Sequence, residues 1–279
     1  MTAVLRYSAF TTTPTGGNPA GVVLDASALG DDEMQAVAAE VGYSETAFLV
    51  PSGGSRFGIR YFSPAAEVPF CGHATIATGV VLGEREGAGT YLLQTRSGEV
   101  EVEAGADSEG AFATLTSVVP RVFDIGDTDL DEALAALRWS RPDLDPGMPP
   151  RVAFAGANHL VLPVRKRDRL ADLDYDFSAL RDLMLRRDWT TLQLVWRESD
   201  AIHHARDPFP VGGVVEDPAT GAAAAAYGAY LKELDLVSAP FRFLIRQGED
   251  MGRPSRLLVE LVEGDSRVRV SGHAVPIDR

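Results

Sequence analysis

The sequence predicts an α+β fold of two pseudo-symmetric halves, each a mixed sheet or barrel wrapped around a central helix. Two observations predict it. The first is a sixteen-residue pattern that occurs twice, 149 positions apart. Glu67, Pro69, Gly72, Ala74, Ala77, Gly79 and Leu82 meet Glu216, Pro218, Gly221, Ala223, Ala226, Gly228 and Leu231 in one register, seven identities without a gap. The second is the rhythm of the chain: a loop, strands, one small-residue helix, strands, and then the same again. A doubly wound fold needs a helix after nearly every strand, and the pattern here does not supply one.

In the first half, residues 4–10 read as a strand, and Pro14, Gly16 and Gly17 mark the loop that follows. Residues 20–24 form a second strand. Residues 31–41 place Met34, Val37, Ala38 and Val41 on one helical face, with Asp31, Asp32 and Glu33 at the positive end. Residues 45–50 and 57–62 are strands rich in aromatic and branched residues. Residues 73–85 form a helix with a small apolar face. Residues 91–95, 100–103 and 111–116 are short strands at hairpin spacing, and Ser97-Gly98 is the first turn.

Residues 118–120 mark the crossing between halves. Beyond it, 130–137 is a helix and 141–150 a loop with four prolines. Strands follow at 152–155 and 160–164, a helix at 180–187, and strands at 192–196 and 201–205. The second repeat helix, 222–234, is almost all alanine on several faces, as a helix enclosed by sheet must be. Strands at 241–246, 257–262 and 268–271 complete the pattern. The halves are thus residues 1–118, open to completion by the strand within 266–279, and residues 119–279. The active site is expected in the cleft between them.

Composition narrows the function. With 45% hydrophobic residues, each half of roughly 130–140 residues has enough apolar material for its own core. A net charge of -14 argues against nucleic acid or an anionic membrane as partner. One cysteine rules out an intrachain disulfide. The N-terminal residues lack a basic region followed by an apolar stretch, and the run 221–231 is too short to span a bilayer. A soluble cytoplasmic protein is expected.

The repeat also locates the chemistry. A glycine opening a helix lets a ligand approach the backbone, and the first amides of that helix have no intrahelical partner. Gly72 and Gly221 therefore read either as tight caps or as two anion-binding helix ends, and duplication favours the latter. His73, on the first turn, reads as a neutral donor or acceptor beside the ligand; its counterpart is Ala222. Asp217 reads as an N-terminal cap or as a catalytic or orienting carboxylate; its counterpart is Val68. Glu45 reads from pattern alone as an exposed charge at a strand start. Withdrawn from water it would be a proton carrier. Cys71 matches Thr220, so a two-thiol racemase site is excluded and Cys71 reads as a small buried filler. His203 and His204 are adjacent and face opposite ways on a strand, and no metal-ligand spacing occurs, so no metal is expected. No glycine-rich phosphate fingerprint follows the first strand, so no cofactor is expected either. Residues 17–21 read as a turn into the second strand, with Asn18 able to face the cleft.

Several of these segments together resemble the PhzF family of phenazine-biosynthesis-like proteins. They are Gly17-Asn18-Pro19-Ala20-Gly21-Val22-Val23-Leu24, Ser44-Glu45-Thr46-Ala47-Phe48, Cys71-Gly72-His73-Ala74-Thr75, Glu216-Asp217-Pro218-Ala219-Thr220-Gly221 and Gln247-Gly248-Glu249-Asp250-Met251-Gly252-Arg253-Pro254-Ser255. They span nearly the whole chain in the expected order. The resemblance implies the diaminopimelate-epimerase fold, a homodimer, and no metal or organic cofactor. It also implies an isomerase of the kind that acts on trans-2,3-dihydro-3-hydroxyanthranilate. Glu45 matches the family's proton-carrying glutamate, His73 and Asp217 its substrate-positioning pair, and Gly72 and Gly221 its backbone donors. The departure is Ala222, where the characterised isomerase has serine.

These readings converge on a cofactor-independent isomerase acting on a small anionic substrate. Glu45, His73 and Asp217 would carry the chemistry, and Gly72, Gly221 and Ala222 would bind the substrate. The alternatives are an amino-acid epimerase or racemase using Glu45 and Asp217 from opposite faces, and a non-catalytic ligand-binding protein.

Overall fold

Strand residues here alternate between two apolar layers, and that alternation decides which side chains reach the interior. The computed structural model describes residues 2–278. In chain order the first half contains β1 (Leu5–Ala9), β2 (Asn18–Val23), α1 (Asp31–Val41), β3 (Glu45–Pro51), β4 (Arg56–Phe62), β5 (Glu67–Val68) and α2 (Gly72–Glu86). It continues with β6 (Gly89–Thr95), β7 (Gly98–Asp107) and β8 (Gly110–Thr116). The second half contains β9 (Arg121–Asp124), α3 (Asp127–Leu137), β10 (Arg151–Phe154), β11 (Asn158–Pro163), α4 (Arg167–Ala171), α5 (Phe177–Arg187), β12 (Thr191–Arg197) and β13 (Ile202–Pro208). Then come β14 (Glu216–Asp217), α6 (Gly221–Glu233), β15 (Phe241–Gln247), β16 (Ser255–Leu261) and β17 (Val268–Pro276).

Strands β1, β2, β3, β4, β6, β7, β8 and β17 pair in that order, and β17 returns to β1, closing an eight-stranded barrel around α2. The second half repeats the scheme. β10–β11 is antiparallel like β1–β2, β11–β12 parallel like β2–β3, and β12–β13 antiparallel like β3–β4. β13–β15 is parallel like β4–β6, and β15–β16 antiparallel like β6–β7. β17 also pairs with β16, so one strand belongs to both sheets. Among the described residues, no helix is long and apolar enough to cross a membrane.

The two central helices are enclosed over most of their length. Gly72 to Leu82 of α2 and Gly221 to Leu231 of α6 are buried. The repeated glycines explain how strands pack so close. A Cβ on Gly79 would lie 2.5 Å from Val102 and 2.7 Å from Ala113, and one on Gly228 would lie 2.9 Å from both Val259 and Val268. The repeated glutamates are also structural. Arg60 grips Glu67 with Nε and a terminal nitrogen, at 2.8 and 2.7 Å. Arg206 grips Glu216 in the same two-pronged way, with 2.9 Å from Nε to Oε1.

In β11 and β12 alternate residues serve different layers. Val161 and Val195 pack toward α6, whereas Leu160, Leu162, Leu192 and Leu194 join an outer layer with α3 and α5. The pleat therefore sends His159, Thr191 and Gln193 to the α6 side. The sequence reading misses β5, β9, β14 and α4, which are too short to show a period. It also ends β17 at residue 271, whereas the strand runs to Pro276. Gly272 makes room for Phe10, whose ring would lie 2.3 Å from a Cβ there.

Candidate active site

The amino ends of the two central helices abut. A Cβ on Gly72 would lie 2.9 Å from both Gly221 Cα and the Ala222 nitrogen, and one on Gly221 would lie 3.3 Å from Gly72 Cα. Cys71 and Thr220 hold the two N-cap positions, and neither caps with its side chain. Two sets of orphan amides, each at the positive end of a helix dipole, thus meet at one place. Gly72→Ala is expected to push these ends apart, because the neighbouring atoms are backbone. A loss of about 1–3 kcal/mol in thermal or denaturant unfolding is the expected result. An unchanged melting temperature would show that the ends do not press together.

Glu45, His73 and Asp217 gather around this point. Glu45 opens β3 and is 5% exposed, His73 on the first turn of α2 is 3% exposed, and Asp217 on β14 is 5% exposed. The strand-start reading of Glu45 as an exposed charge is therefore wrong; the start of β3 lies inside the cleft. The cap reading of Asp217 is wrong too, since the N-cap position belongs to Thr220. Thr220 instead donates its hydroxyl to Asp217 Oδ2 at 2.6 Å. Gln247 fixes this turn, donating to the Asp217 carbonyl at 2.8 Å and accepting from the Thr220 nitrogen at 3.1 Å.

Asn18 ties the two halves together. Its Nδ2 lies 2.7 Å from Asp217 Oδ1, 3.0 Å from His73 Nδ1 and 3.2 Å from the Ala219 carbonyl. An amide nitrogen only donates, so His73 Nδ1 accepts and Nε2 carries the ring proton. That Nε2 faces Glu45 Oε2 and Ser44 Oγ, each at 3.3 Å. Asn18 is held in turn by Gly17, which sits at φ 66° with its carbonyl accepting from Arg253 Nε at 2.7 Å. A side chain at Gly17 would strike the Ala9 carbonyl at 2.3 Å. The segment that reads as a turn with Asn18 able to face the cleft thus brings Asn18 against His73 and Asp217.

Burial sets the charge states. It pushes His73 down to about 3, so the imidazole is neutral and its contact with Glu45 is not an ion pair. Burial raises Glu45 above the usual carboxylate range, opposed by hydrogen bonds from Ser44 and Cys71. Burial first, and then the charge of Glu45, push Asp217 up to about 7. Cys71 lies with its sulfur 3.4 Å from His73 Nδ1, so it faces the site. The donor atoms of Glu45, Cys71 and His73 all lie within 4.8 Å of one another, a grouping that spacing could not reveal because they come from two elements. Burial pushes the Cys71 thiol well up, away from the thiolate that a metal requires.

These residues line a cleft of about 470 Å³, and Gly72, Gly221 and Ala222 line it too. All six sequence-predicted site residues are thus brought together. Phe70, Met184, Trp189 and Phe209 form its apolar walls. Among the described residues no arginine or lysine lines it, which leaves the helix ends as the source of positive potential. The sequence reading omits Ser44, His159, Thr191 and Thr220 from the site; their types carry no signal until the strands are placed.

The chain has recognisable relatives. The PhzC-PhzF family, described as phenazine biosynthesis-like protein, matches residues 7–279. The chain belongs to this family. It is a PhzF-like isomerase. It is 31% identical over 276 residues to an uncharacterized isomerase of Bacillus subtilis (strain 168), covering 96% of this chain and 93% of that one. It is 30% identical over 279 residues to trans-2,3-dihydro-3-hydroxyanthranilate isomerase of Pseudomonas fluorescens, covering 97% and 95%. The structure of a predicted epimerase from Pseudomonas aeruginosa superposes with a TM-score of 0.86 at 30% identity, covering 99% of this PhzF-like chain and 96% of that one.

Proposed function

We propose that this PhzF-like chain moves a proton between two carbons of a small carboxylate without a cofactor, with Glu45 as base and then acid. The observation that carries this is the pair of abutting, uncapped helix ends beside a buried carboxylate. The substrate's carboxylate sits on the orphan amides of Gly72, His73, Gly221 and Ala222. Glu45 takes a proton from a carbon near that group, and the electron pair shifts through the adjoining double bond. The same carboxyl returns the proton at the far carbon, so nothing is oxidised or reduced. Negative charge that builds up is held by the two helix ends. Asp217 accepts from Asn18 and Thr220 on its two oxygens, which suits an orienting role better than that of a second base. The working unit is a homodimer, as the resemblance implies, which sedimentation velocity tests.

A thermal-shift screen of small cyclic and amino carboxylates, followed by hydrogen exchange in D2O, tests the reading. Unsaturated carboxylates are expected to stabilise the protein and to take up deuterium at carbon. Stabilisation without exchange by any hit would make it a binding protein. Uptake at one carbon with inversion, and no shifted double bond, would make it an epimerase.

The pH profile follows from the acid pair. The base must be ionised, and its affinity for protons is raised in the folded protein. Activity is therefore lost as pH falls through a value above the ordinary glutamate pKa of about 4.5. A limb at the ordinary glutamate value would overturn the assignment.

A further inference from the structure

The wall of the cleft holds a buried imidazole with one nitrogen unaccounted for. His159 is fully buried on β11, and both His159 and Thr191 line the cleft. His159 Nδ1 lies 2.8 Å from Thr191 Oγ1. Thr191 donates its single hydroxyl proton to Asp207 Oδ1 at 3.2 Å. The Gln193 amide, turned with its NH2 toward Asp207, donates to the two carboxylate oxygens at 2.7 and 3.1 Å. With its proton on Asp207, the Thr191 oxygen accepts from His159. Nδ1 therefore carries the ring proton, and Nε2 is a bare acceptor. Burial lowers the proton affinity of His159 and keeps the ring neutral. Among the described residues Nε2 has no hydrogen-bond partner. Buried polar atoms without partners are rare, and in a cleft wall they point to a ligand.

We propose that His159 Nε2 is a specificity-determining acceptor for a hydroxyl or amino group of the substrate, set apart from the carboxylate bound at the helix ends. This rests on the carboxylate reading of the cleft. The substrate class narrows to a carboxylate with an apolar body, for Phe70, Met184, Trp189 and Phe209, and a separate hydrogen-bond donor. The Asp207–Thr191–His159 chain fixes the tautomer, and Gln193 anchors its far end.

The test is calorimetric titration with benzoate, 3- and 4-hydroxybenzoate, and the two matching methoxybenzoates. These probes share a carboxylate and a ring and differ in the donor. Wild type is expected to bind one hydroxybenzoate roughly tenfold tighter than benzoate or its methyl ether. In His159→Phe that preference disappears while benzoate affinity stays; His159→Gln, which keeps an acceptor, retains part of it. A preference that survives in His159→Phe would overturn the proposal. Failure of every benzoate to bind wild type would instead overturn the carboxylate reading, and this proposal with it. Nitrogen-15 NMR of labelled histidine gives a readout without substitution. His159 Nε2 is expected to resonate as an unprotonated nitrogen and to shift when the preferred hydroxybenzoate binds. A protonated Nε2 in the free protein would also overturn the proposal.

Discussion

Glu45→Gln is expected to slow exchange of carbon-bound hydrogen with D2O by about 100- to 10,000-fold, while leaving carboxylate binding intact. Glutamine keeps the shape and one acceptor of glutamate but takes no proton at neutral pH. The side chain is 5% exposed and lies against the neutral His73, Ser44 and Cys71. The substitution also removes a buried charge beside Asp217, so the variant is expected to fold at least as well as wild type. Stability and binding thus separate from catalysis. Exchange at the wild-type rate in a variant that still binds carboxylates would show that Glu45 is not the base, and Asp217 would then be the carrier to test.

Arg206→Ala is expected to cost about 3–5 kcal/mol of stability, the largest effect of any single substitution considered. Glu216 has a side chain only 3% exposed, and Arg206 is its two-pronged partner. Removing the arginine leaves the carboxylate buried and alone. The equivalent change in the first half is expected to be milder. There Glu67 is more exposed, at 12%, and has a second partner in Arg96 at 2.6 Å. Denaturant unfolding of Arg206→Ala and Arg60→Ala, compared with a double variant Arg206→Met/Glu216→Leu, measures this. The double variant is expected to be more stable than Arg206→Ala, because no charge is stranded. Equal losses for the two arginines would refute the asymmetry.

Much of this was legible from residue types. The helix at Asp31–Val41 carries its acidic start and apolar face on the surface of the sequence, and the structure places it at those residues. The repeat announced two equivalent helices because small residues must recur where a helix is enclosed by strands. What could not be read is what depends on closure. That Gly72 touches Gly221 follows from the two central helices meeting at their amino ends, and no local pattern encodes it. Glu45 read as exposed because an acid before an apolar strand usually is; only the placement of β3 against the cleft buries it. Asn18 has the residue type of a turn, and its role emerges from contacts to His73 and Asp217, 55 and 199 positions away. His159 sits in an ordinary alternating strand, and its significance lies in the one nitrogen that nothing meets.

The sharing of β17 between the two sheets also fixes the order in which the molecule can be finished. β17 supplies the strand between β1 and β8, yet the ribosome makes it after the whole second half. At about 5–20 residues per second, β8 waits roughly eight to thirty seconds for its partner. During that time β1 and β8 are open edges, the kind of surface on which stray strands pair. The nascent first half is therefore the part of the chain left longest with open sheet edges.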